Sequence, residues 1–529
     1  MEKAKKSILR FTEKMKISSK AEMRWFVFAV ALLLIYTITV QFFQLFEYEL
    51  GTVLIYTVIS VIFCPILLML LRKTEIKFIN REYSKKHKSL IAFAIVFVVT
   101  FLVYFYWQIG FWPGSFSPDS LEQYGQALSG EYNDWHPVLH TWLFFGLPML
   151  FSSSPAFIVT LQIIWFSLAV AYLYFVLYRS GCGKAFMLLS YIFVITNPNT
   201  ALIMLFPWKD SALTIFATVI FAQVIRIYET KGEWLCKPQN LCSFTLFCFF
   251  ANGVRHNAVL IIAPLILILY VFFKSARRRL IFSAVILIAA TLILKLPIYS
   301  LAGVESPDRR QAETLGLPMT VLQNIYMEDH DALSEEAIEF MDSLATQENW
   351  EKYHQFSNFN SIKWSDGEIS YKIEEEGAGK ILKYTIQGAA NSPKVALRSV
   401  IALTSMVWSV DGGSGWGIWP SITKNELGIE PDYDEEKRDV LLSYRQSASS
   451  YATKYLFNFV GVIILLLLFS AVAKIGSGGL KKAFAVIPLI CYNFGTMLLL
   501  TGHDFRFFHL NFVIVIPLLY ILFSAEKEN

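Results

Sequence analysis

Residues Leu90 to Trp107 read LIAFAIVFVVTFLVYFYW, and this stretch decides the fold class of the chain. It holds no charged side chain over 18 residues, close to the roughly 20 apolar residues that cross a bilayer as one helix. Similar runs occur on both sides of it. They predict further spans at Phe26 to Phe46, Thr52 to Leu71, Ala156 to Tyr178, Phe186 to Phe206, Asp210 to Ile227, Leu280 to Ser300, Tyr455 to Val472, Ala483 to Thr501 and His509 to Phe523.

The apolar stretch Leu241 to Phe273 is too long for one crossing, and the sequence NGVRHN at Asn252 to Asn257 interrupts it. We predict two short helices there, which brings the total to about twelve spans. Of the 529 residues, 55% are hydrophobic and 17% are charged, a balance that soluble domains do not normally show. The sequence therefore predicts an all-α polytopic membrane protein.

Basic residues indicate which ends of the spans face the cytoplasm, because lysine and arginine are enriched in short cytoplasmic loops. They occur in residues 1–25, in Arg72 to Lys88, and beside later spans at Arg179, Lys184, Arg226, Lys231, Lys274 to Arg279, Lys474 and Lys481. These positions agree with twelve spans and with both termini in the cytoplasm. The net charge of +4 then reflects orientation in the membrane, and nucleic-acid binding is disfavoured.

The spans and the charges predict seven segments. They are a basic cytoplasmic tail (1–25), three spans (26–107), an exterior acidic loop with two surface helices (108–155), spans four to nine (156–300), a large exterior loop or domain (301–453), three last spans (454–523) and a cytoplasmic tail (524–529). The protein is expected in the cell membrane, with its reactive residues on the exterior face.

The acidic loop is predicted to contain a short helix that lies on the membrane surface. The sequence SPDS at 117–120 suits a helix start, since serine is a common N-cap and proline fits the first helical position. Leu121, Tyr124 and Leu128 then share one face, and Gly130 ends the pattern. A second helix is predicted from about Pro137 to Leu150.

Polar and charged residues interrupt the apolar pattern at the exterior ends of several spans. The interruptions are PWKD at 207–210, RHN at 255–257 and HDFR at 503–506. Charged residues near membrane depth are costly and usually line a cavity or a pathway. Because all three lie on the same predicted side as the acidic loop, we expect a single site that opens outward.

The loop from Ser117 to Pro137, SPDSLEQYGQALSGEYNDWHP, resembles the acidic loop of the GT-C superfamily of membrane glycosyltransferases. Members have an acidic residue just after a span, two surface helices and often a His-Pro before the second. Arg506, ahead of a last span that contains proline, is similar to the family's C-terminal pattern. Two departures are the pair of spans before the acidic loop's own span and Ser120, which follows Asp119 where the family has a second acid.

The resemblance implies a GT-C-like bundle and transfer of a sugar, outside the cytoplasm, from a polyprenyl-phosphate-linked donor to a cell-envelope glycan or glycopolymer. Asp119 is predicted to be the general base, since inverting transfer needs a carboxylate that takes the acceptor's proton. Lys209, Arg255 and Arg506 are predicted to bind the donor phosphate, because fixed cations stabilise such a leaving group. Membrane lipid is the other expected partner.

Substrate binding is also predicted for other polar residues near these positions. They are Glu122, Gln123, Asp134, His136, Asp210, His256, His503 and Trp416. Trp416 and Trp419 could stack on sugar rings or simply sit at the membrane interface. His136 and His140 have the spacing for a shared metal on one helix face, but no third ligand is evident, so a structural pair is favoured and no metal ligand is assigned. The cofactor is left unknown, with a divalent cation as one option.

Two other functions remain open from the sequence. A transporter or lipid flippase with twelve spans and a broken hairpin would place its key charges near the middle of spans and would show matched halves. A ligase or polymerase that acts on lipid-linked polysaccharide would share the donor class. The charges at span ends and the one large exterior segment favour the glycosyltransferase.

Overall fold

The computed structural model describes residues 27, 50–76, 86–307, 310–409, 418–450, 453–478 and 480–524. This part of the chain is helical, and its β-type pairing consists of isolated bridges such as Phe116 with Ile422 and Asn133 with Glu305. The longer α-helices are Leu50–Lys73, Lys86–Gly110, Pro118–Ser129, Pro155–Arg179, Lys184–Thr196, Lys209–Glu229, Pro238–Val254, Val259–Phe272, Arg277–Ile293, Gly316–Glu328, Glu335–Leu344, Ala378–Asn391, Pro393–Trp408, Glu435–Ala448, Val460–Gly478, Ile487–Leu499 and Leu510–Phe523.

Short helical pieces connect the longer helices. The α-helical ones are Val138–Thr141, Leu147–Met149, Pro198–Met204, Tyr299–Leu301, Arg310–Thr314, Gln347–Tyr353, Asn360–Lys363, Ile369–Glu376, Thr453–Phe457 and Leu480–Ala483. Two π-helical turns are Trp142–Gly146 and Leu294–Ile298, and 3₁₀ turns are Glu233–Cys236, His256–Ala258, Lys274–Ala276, His330–Ala332 and Phe505–Phe508.

Within the described residues, 5 helices are long and apolar enough to cross a membrane, or up to 6 if one bent pair counts as a single span. The five are Lys88–Gly110, Pro155–Arg179, Lys209–Glu229, Lys274–Leu301 and Phe505–Phe523. Shorter apolar helices are Val138–Met149, His256–Phe272, Val460–Lys474 and Ile487–Leu499. The helical membrane-protein class is consistent with this set, whereas the full count of about twelve stays a prediction. Of the predicted span Phe26 to Phe46, all but residue 27 lies outside the described residues.

Two predicted spans are broken in the structure. The run Phe186 to Phe206 is divided into Lys184–Thr196 and Pro198–Met204, with a bend of 57°. Asn197 precedes a proline, which disfavours α-helical backbone at that residue, and its side chain instead accepts the Asn199 amide at 2.9 Å. The predicted span Tyr455 to Val472 is likewise interrupted between Thr453–Phe457 and Val460–Gly478.

The centre of the bundle is formed by helices Lys209–Glu229 and Leu510–Phe523, which pack on each other and are buried on nearly all sides. Helix Lys209–Glu229 also packs against Pro155–Arg179 and Pro238–Val254. In contrast, helix Arg277–Ile293 lies at the periphery, with most of its apolar side chains exposed. A surface of this kind suits contact with lipid, since apolar side chains there need no aqueous neighbour.

A second hydrophobic core lies within residues 312–400, in the segment predicted to be a large exterior loop or domain. Trp350, Met319 and Met341 are fully buried in it. Helix Gly316–Glu328 packs on Pro393–Trp408, which in turn packs against Val460–Gly478 and Ile487–Leu499. The segment is therefore a folded helical unit attached to the apolar helices.

Gly316 allows this unit to approach the bundle closely. A Cβ atom at this position would lie 2.1 Å from the Leu500 carbonyl oxygen and 2.3 Å from its carbon, so the backbone itself would have to move. We expect Gly316→Ala to destabilise the protein by about 1–3 kcal/mol, the usual cost of overpacking. Gly379→Ala is the matched control, because a Cβ there meets nothing within 4 Å. Melting temperatures in detergent should fall for the first variant alone, and equal values would contradict the close contact.

Candidate functional site

The helix Pro118–Ser129, called the acidic helix below, begins with Pro118 at its first position and ends at Gly130 with a φ of 78°. The predicted helix is therefore present, but the predicted serine cap was wrong. The Ser117 side chain does not cap the helix and instead accepts a hydrogen bond from Trp208 Nε1 at 2.7 Å. Leu128 is exposed, whereas Gln123 is buried. The helix is held against the bundle on that face.

Asp119 lies in the first turn of the acidic helix, between two cations from distant parts of the chain. Its Oδ2 is 3.1 Å from Arg506 Nη1 and 4.0 Å from Lys209 Nζ. Burial acts to raise the pKa of the Asp119 carboxyl, but Arg506 and Lys209 outweigh it and hold the pKa well below its usual range. The favourable end of the helix dipole acts in the same sense. Asp119 is therefore ionised at neutral pH.

Arg506 is held by two carboxylates and two aromatic rings. In addition to the contact with Asp119, Arg506 Nε lies 2.9 Å from Asp504 Oδ2. The guanidinium carbon is 5.3 Å from the centre of the Trp208 ring and 4.9 Å from that of Phe507. Planar guanidinium groups stack well on such rings and bind oxyanions with two parallel donors. The side chain is partly exposed at 22%, so a further ligand can reach it.

Lys209 is connected to Glu122 through His136. Lys209 Nζ donates to His136 Nδ1 at 2.9 Å, and His136 Nε2 lies 3.3 Å from Glu122 Oε2. An imidazole that accepts at Nδ1 carries its proton at Nε2, on the side of Glu122. Burial, and then the charge of Lys209, lowers the pKa of His136, so the ring is favoured in its neutral form. This chain of contacts sets the position of the Lys209 ammonium beside Asp119.

The titration of His136 gives a pH-dependent contribution to stability. Because its pKa is lower in the folded chain than in the unfolded one, the unfolded chain takes up the proton first as the pH falls below the ordinary value of 6.5. Stability should therefore decrease between pH 7.5 and pH 5.5, and His136→Gln should reduce the decrease in melting temperature. His330→Gln, which removes an exposed imidazole, is the control. An equal decrease in wild type and His136→Gln would show that His136 contributes nothing.

Arg255 and Asp210 form a buried ion pair behind Arg506. Arg255 Nη1 is 2.8 Å from Asp210 Oδ1, and the two side chains are only 7% and 2% exposed. Both arginines contact the Phe507 ring, since the Arg255 guanidinium carbon lies 4.5 Å from its centre. Asn257 accepts from Arg255 Nε at 2.9 Å. The Arg255 guanidinium is thus bound by side chains of the protein. Its predicted contact with a phosphate has less geometric support than the predicted contacts of Arg506 and Lys209.

Asp134 and His256 meet in an adjoining cluster that also contains Lys295. Asp134 Oδ2 accepts from Lys295 Nζ at 3.0 Å, and Asp134 Oδ1 is 3.7 Å from His256 Nε2. Lys295 was missed by the sequence prediction, which placed it inside a span. The sequence feature that could have identified it is a single lysine in an otherwise apolar run, because such a lysine is usually functional or paired with an acid. It lies in the π-helical turn Leu294–Ile298, a geometry that is frequent at functional sites.

The remaining predicted residues use their side chains in contacts within the protein or lie outside the described part. Gln123 donates to His140 Nδ1 and to Thr141 Oγ1, both at 2.9 Å, so its amide is used to hold the acidic helix on the next one. His503 Nε2 lies 2.9 Å from the Leu403 carbonyl oxygen and fixes the loop before Arg506. Trp416 lies outside the described residues. For these three, the prediction of substrate contact gains no support.

The described residues contain no group of three or more His, Cys, Asp or Glu side chains arranged to hold a metal ion. His136 Nδ1 accepts from Lys209 and His140 Nδ1 accepts from Gln123, while the His140 ring stacks on Phe144 with centroids 4.9 Å apart. The two imidazoles serve different hydrogen-bonding partners.

The cations around Asp119 all have carboxylates nearby. Arg506, Lys209 and Arg255 are close to three carboxylates, those of Asp119, Asp504 and Asp210. An anionic ligand that binds Arg506 must therefore compete with a carboxylate. The partly exposed Asp119, at 30%, is easier to displace than the buried Asp210.

Comparison with known protein families, with curated proteins and with solved structures finds no match for this chain.

Proposed function

We propose that this chain is an integral-membrane glycosyltransferase that moves a sugar from a polyprenyl-phosphate carrier to a cell-envelope acceptor. One observation carries the proposal: Asp119 lies 3.1 Å from Arg506 and 4.0 Å from Lys209. A carboxylate, which can accept a proton, therefore lies beside two cations, which can bind a phosphate. These are the two kinds of group that transfer from a phosphate-linked sugar requires.

In the proposed reaction, Asp119 accepts a proton while Arg506 and Lys209 bind the leaving phosphate. The acceptor oxygen forms a bond to the anomeric carbon while its proton passes to Asp119. The bond from the anomeric carbon to the carrier's phosphate oxygen breaks, and the electron pair leaves with the phosphate. Arg506 and Lys209 stabilise the charge that develops there, which favours the transition state over the bound donor. Attack from the face opposite the leaving group gives inversion.

The ion pair between Asp119 and Arg506 couples donor binding to base strength. A carboxylate paired with arginine has a low pKa and is a weak base. When a donor phosphate takes the guanidinium, the carboxylate loses its strongest partner and its pKa rises toward the ordinary value. Asp119 then becomes a better proton acceptor only while donor is bound. This order limits proton transfer in the absence of substrate.

The orientation follows from charge. Helix Lys209–Glu229 carries Lys209 at the Asp119 end and Arg226 in its last turn, and helix Pro155–Arg179 likewise ends on Arg179. Basic residues in the last turn, such as Arg226 and Arg179, are typical of the cytoplasmic ends of spans. We therefore propose that Asp119 works on the exterior face, with both termini in the cytoplasm. A transporter would be expected to hold its essential charges near mid-span, and the present pairs lie at helix ends.

The test is a structure of the full chain with farnesyl phosphate, a short polyprenyl-phosphate analogue, together with its affinity. We expect the phosphate oxygens within hydrogen-bonding distance of Arg506 and Lys209, and the Asp119 carboxylate displaced from Arg506. Farnesol, which lacks the phosphate, is the control and should bind far more weakly. A phosphate bound elsewhere, or equal affinity for farnesol, would overturn the site.

A further inference from the structure

A groove of about 1020 Å³ runs between helices Pro238–Val254 and Arg277–Ile293, away from Asp119. One wall is a helical stripe that includes Leu241, Leu246 and Phe249, and the other includes Phe282 and Ile286. Leu246, Phe282 and Ile286 expose 45%, 59% and 40% of their surface. The groove is therefore apolar and opens on the outside of the bundle.

The floor of the groove offers no unsatisfied hydroxyl to a ligand. Thr245 Oγ1, which lines the groove, is 2.7 Å from Ser283 Oγ on the facing helix, and Thr245 also donates to the Leu241 carbonyl oxygen at 2.8 Å. Because these polar atoms bond to one another, the seam between the helices presents mainly carbon to the groove. An occupant must therefore be apolar along most of its length.

Three cations line one end of the groove, namely Lys274, Arg278 and Arg279. Among the described lining residues there is no acid, and none of the three cations forms an ion pair within the described chain. Arg278 and Arg279 also stand in the first turn of their helix, where the dipole disfavours positive charge. An anion bound here would reduce both the repulsion among the three cations and the unfavourable interaction of the arginines with the helix dipole.

The length of the groove indicates the class of ligand. From Pro238 to Phe249 the helix rises roughly 16 Å, at 1.5 Å per residue. One leaflet of a bilayer has a hydrocarbon thickness of about 15 Å, half of the full core. An acyl chain of ordinary length thus fits between the cationic rim and the end of the groove.

We propose that this groove binds one anionic phospholipid, with its phosphate at Lys274, Arg278 and Arg279 and an acyl chain along the two helices. Its charge and depth match a lipid of the leaflet on the basic side of the bundle. The site is separate from Asp119 and does not depend on the proposed function.

The experiment is native mass spectrometry of the purified full chain in detergent, titrated with palmitoyl-oleoyl phosphatidylglycerol. The matched lipid is phosphatidylcholine with the same acyl chains. Wild type should retain one phosphatidylglycerol and little phosphatidylcholine. The double variant Arg278→Gln with Arg279→Gln should bind phosphatidylglycerol about thirtyfold more weakly, as expected from the loss of two cations at a lipid headgroup. Substitution of both arginines by lysine should preserve most of the binding.

Two further variants separate charge from the groove itself. Lys184→Gln with Lys237→Gln removes two exposed cations that do not line the groove, and binding should stay within twofold. Ala290→Trp places a large side chain inside the groove and should abolish retention while both arginines remain. Circular dichroism and gel filtration check that each variant is folded.

Three results would overturn the proposal. The first is equal retention of the two lipids by wild type. The second is unchanged phosphatidylglycerol binding in both the arginine-to-glutamine variant and Ala290→Trp. The third is displacement of the lipid by 100 mM inorganic phosphate, which would assign the rim to a free phosphate rather than a lipid.

Discussion

Asp119→Asn is expected to lower the rate of sugar transfer by about a thousandfold, the typical contribution of a positioned general base. Asparagine keeps the shape of the side chain but cannot take the acceptor's proton. The same variant should bind farnesyl phosphate at least as tightly as wild type, since the carboxylate that competes for Arg506 at 3.1 Å is gone. Lost transfer with retained binding is a combination that a misfolded protein cannot produce.

The assay for Asp119→Asn uses membranes that contain the full chain and a set of radiolabelled polyprenyl-phosphate sugars. Asp439→Asn is the control, because that carboxyl is 72% exposed and lies on helix Glu435–Ala448. It should transfer at the wild-type rate. Full activity in Asp119→Asn would remove Asp119 as the base, and weaker phosphate binding would contradict the proposed competition.

Arg506→Gln is expected to weaken farnesyl phosphate binding by about thirtyfold, which corresponds to the loss of one hydrogen bond to a charged group. Arg506→Lys should recover part of the affinity, since lysine keeps the charge but not the two-donor geometry. Arg398→Gln is the matched control: it also removes an arginine paired with a carboxylate, Glu328, at 2.7 Å, but on the surface of the unit that contains the second core. Affinity is measured by titration of the purified protein in detergent.

Arg506→Gln should also change the pH dependence of any remaining transfer. Arg506 and Lys209 hold the pKa of Asp119 low, so removal of Arg506 raises it toward the ordinary value. Transfer needs the ionised carboxylate and is lost as the pH falls through its pKa. The acid limb of the kcat/KM profile, which reports the free enzyme where Arg506 still pairs with Asp119, should therefore move to higher pH in the variant. An unmoved acid limb would show that Arg506 does not control Asp119.

The two variants have different consequences for stability. A carboxylate with a lowered pKa stabilises the folded chain above its unfolded pKa, and this stabilisation is lost as the pH falls through the folded pKa. Arg506→Gln removes that stabilisation at neutral pH and also leaves Asp504 without its close partner. Asp119→Asn removes the carboxylate itself. We therefore expect the arginine variant to have the lower melting temperature at pH 7.

The sequence by itself determined several of the helices and their ends. The run Leu90 to Trp107 and the interruption at Asn252 to Asn257 correspond to helix Lys86–Gly110 and to the break between Pro238–Val254 and Val259–Phe272. Apolar runs of this length have few alternatives, because a backbone in lipid must satisfy its own hydrogen bonds. Pro118 and Gly130 marked the ends of the acidic helix for equally local reasons.

The tertiary structure decided which charges meet. Asp119 and Arg506 are 387 residues apart, and no local pattern states the distance between two helices so far apart in the chain. Helical periodicity gives the face on which a residue lies but not the neighbour that this face receives, which is why the contacts of Gln123 with His140 and of Lys295 with Asp134 were not predicted. Packing brings Arg506 to Asp119 and leaves Arg255 with Asp210 in the interior. Residue types and helix ends could be read from the chain, whereas the partner of each charge depends on how the helices are rotated and packed.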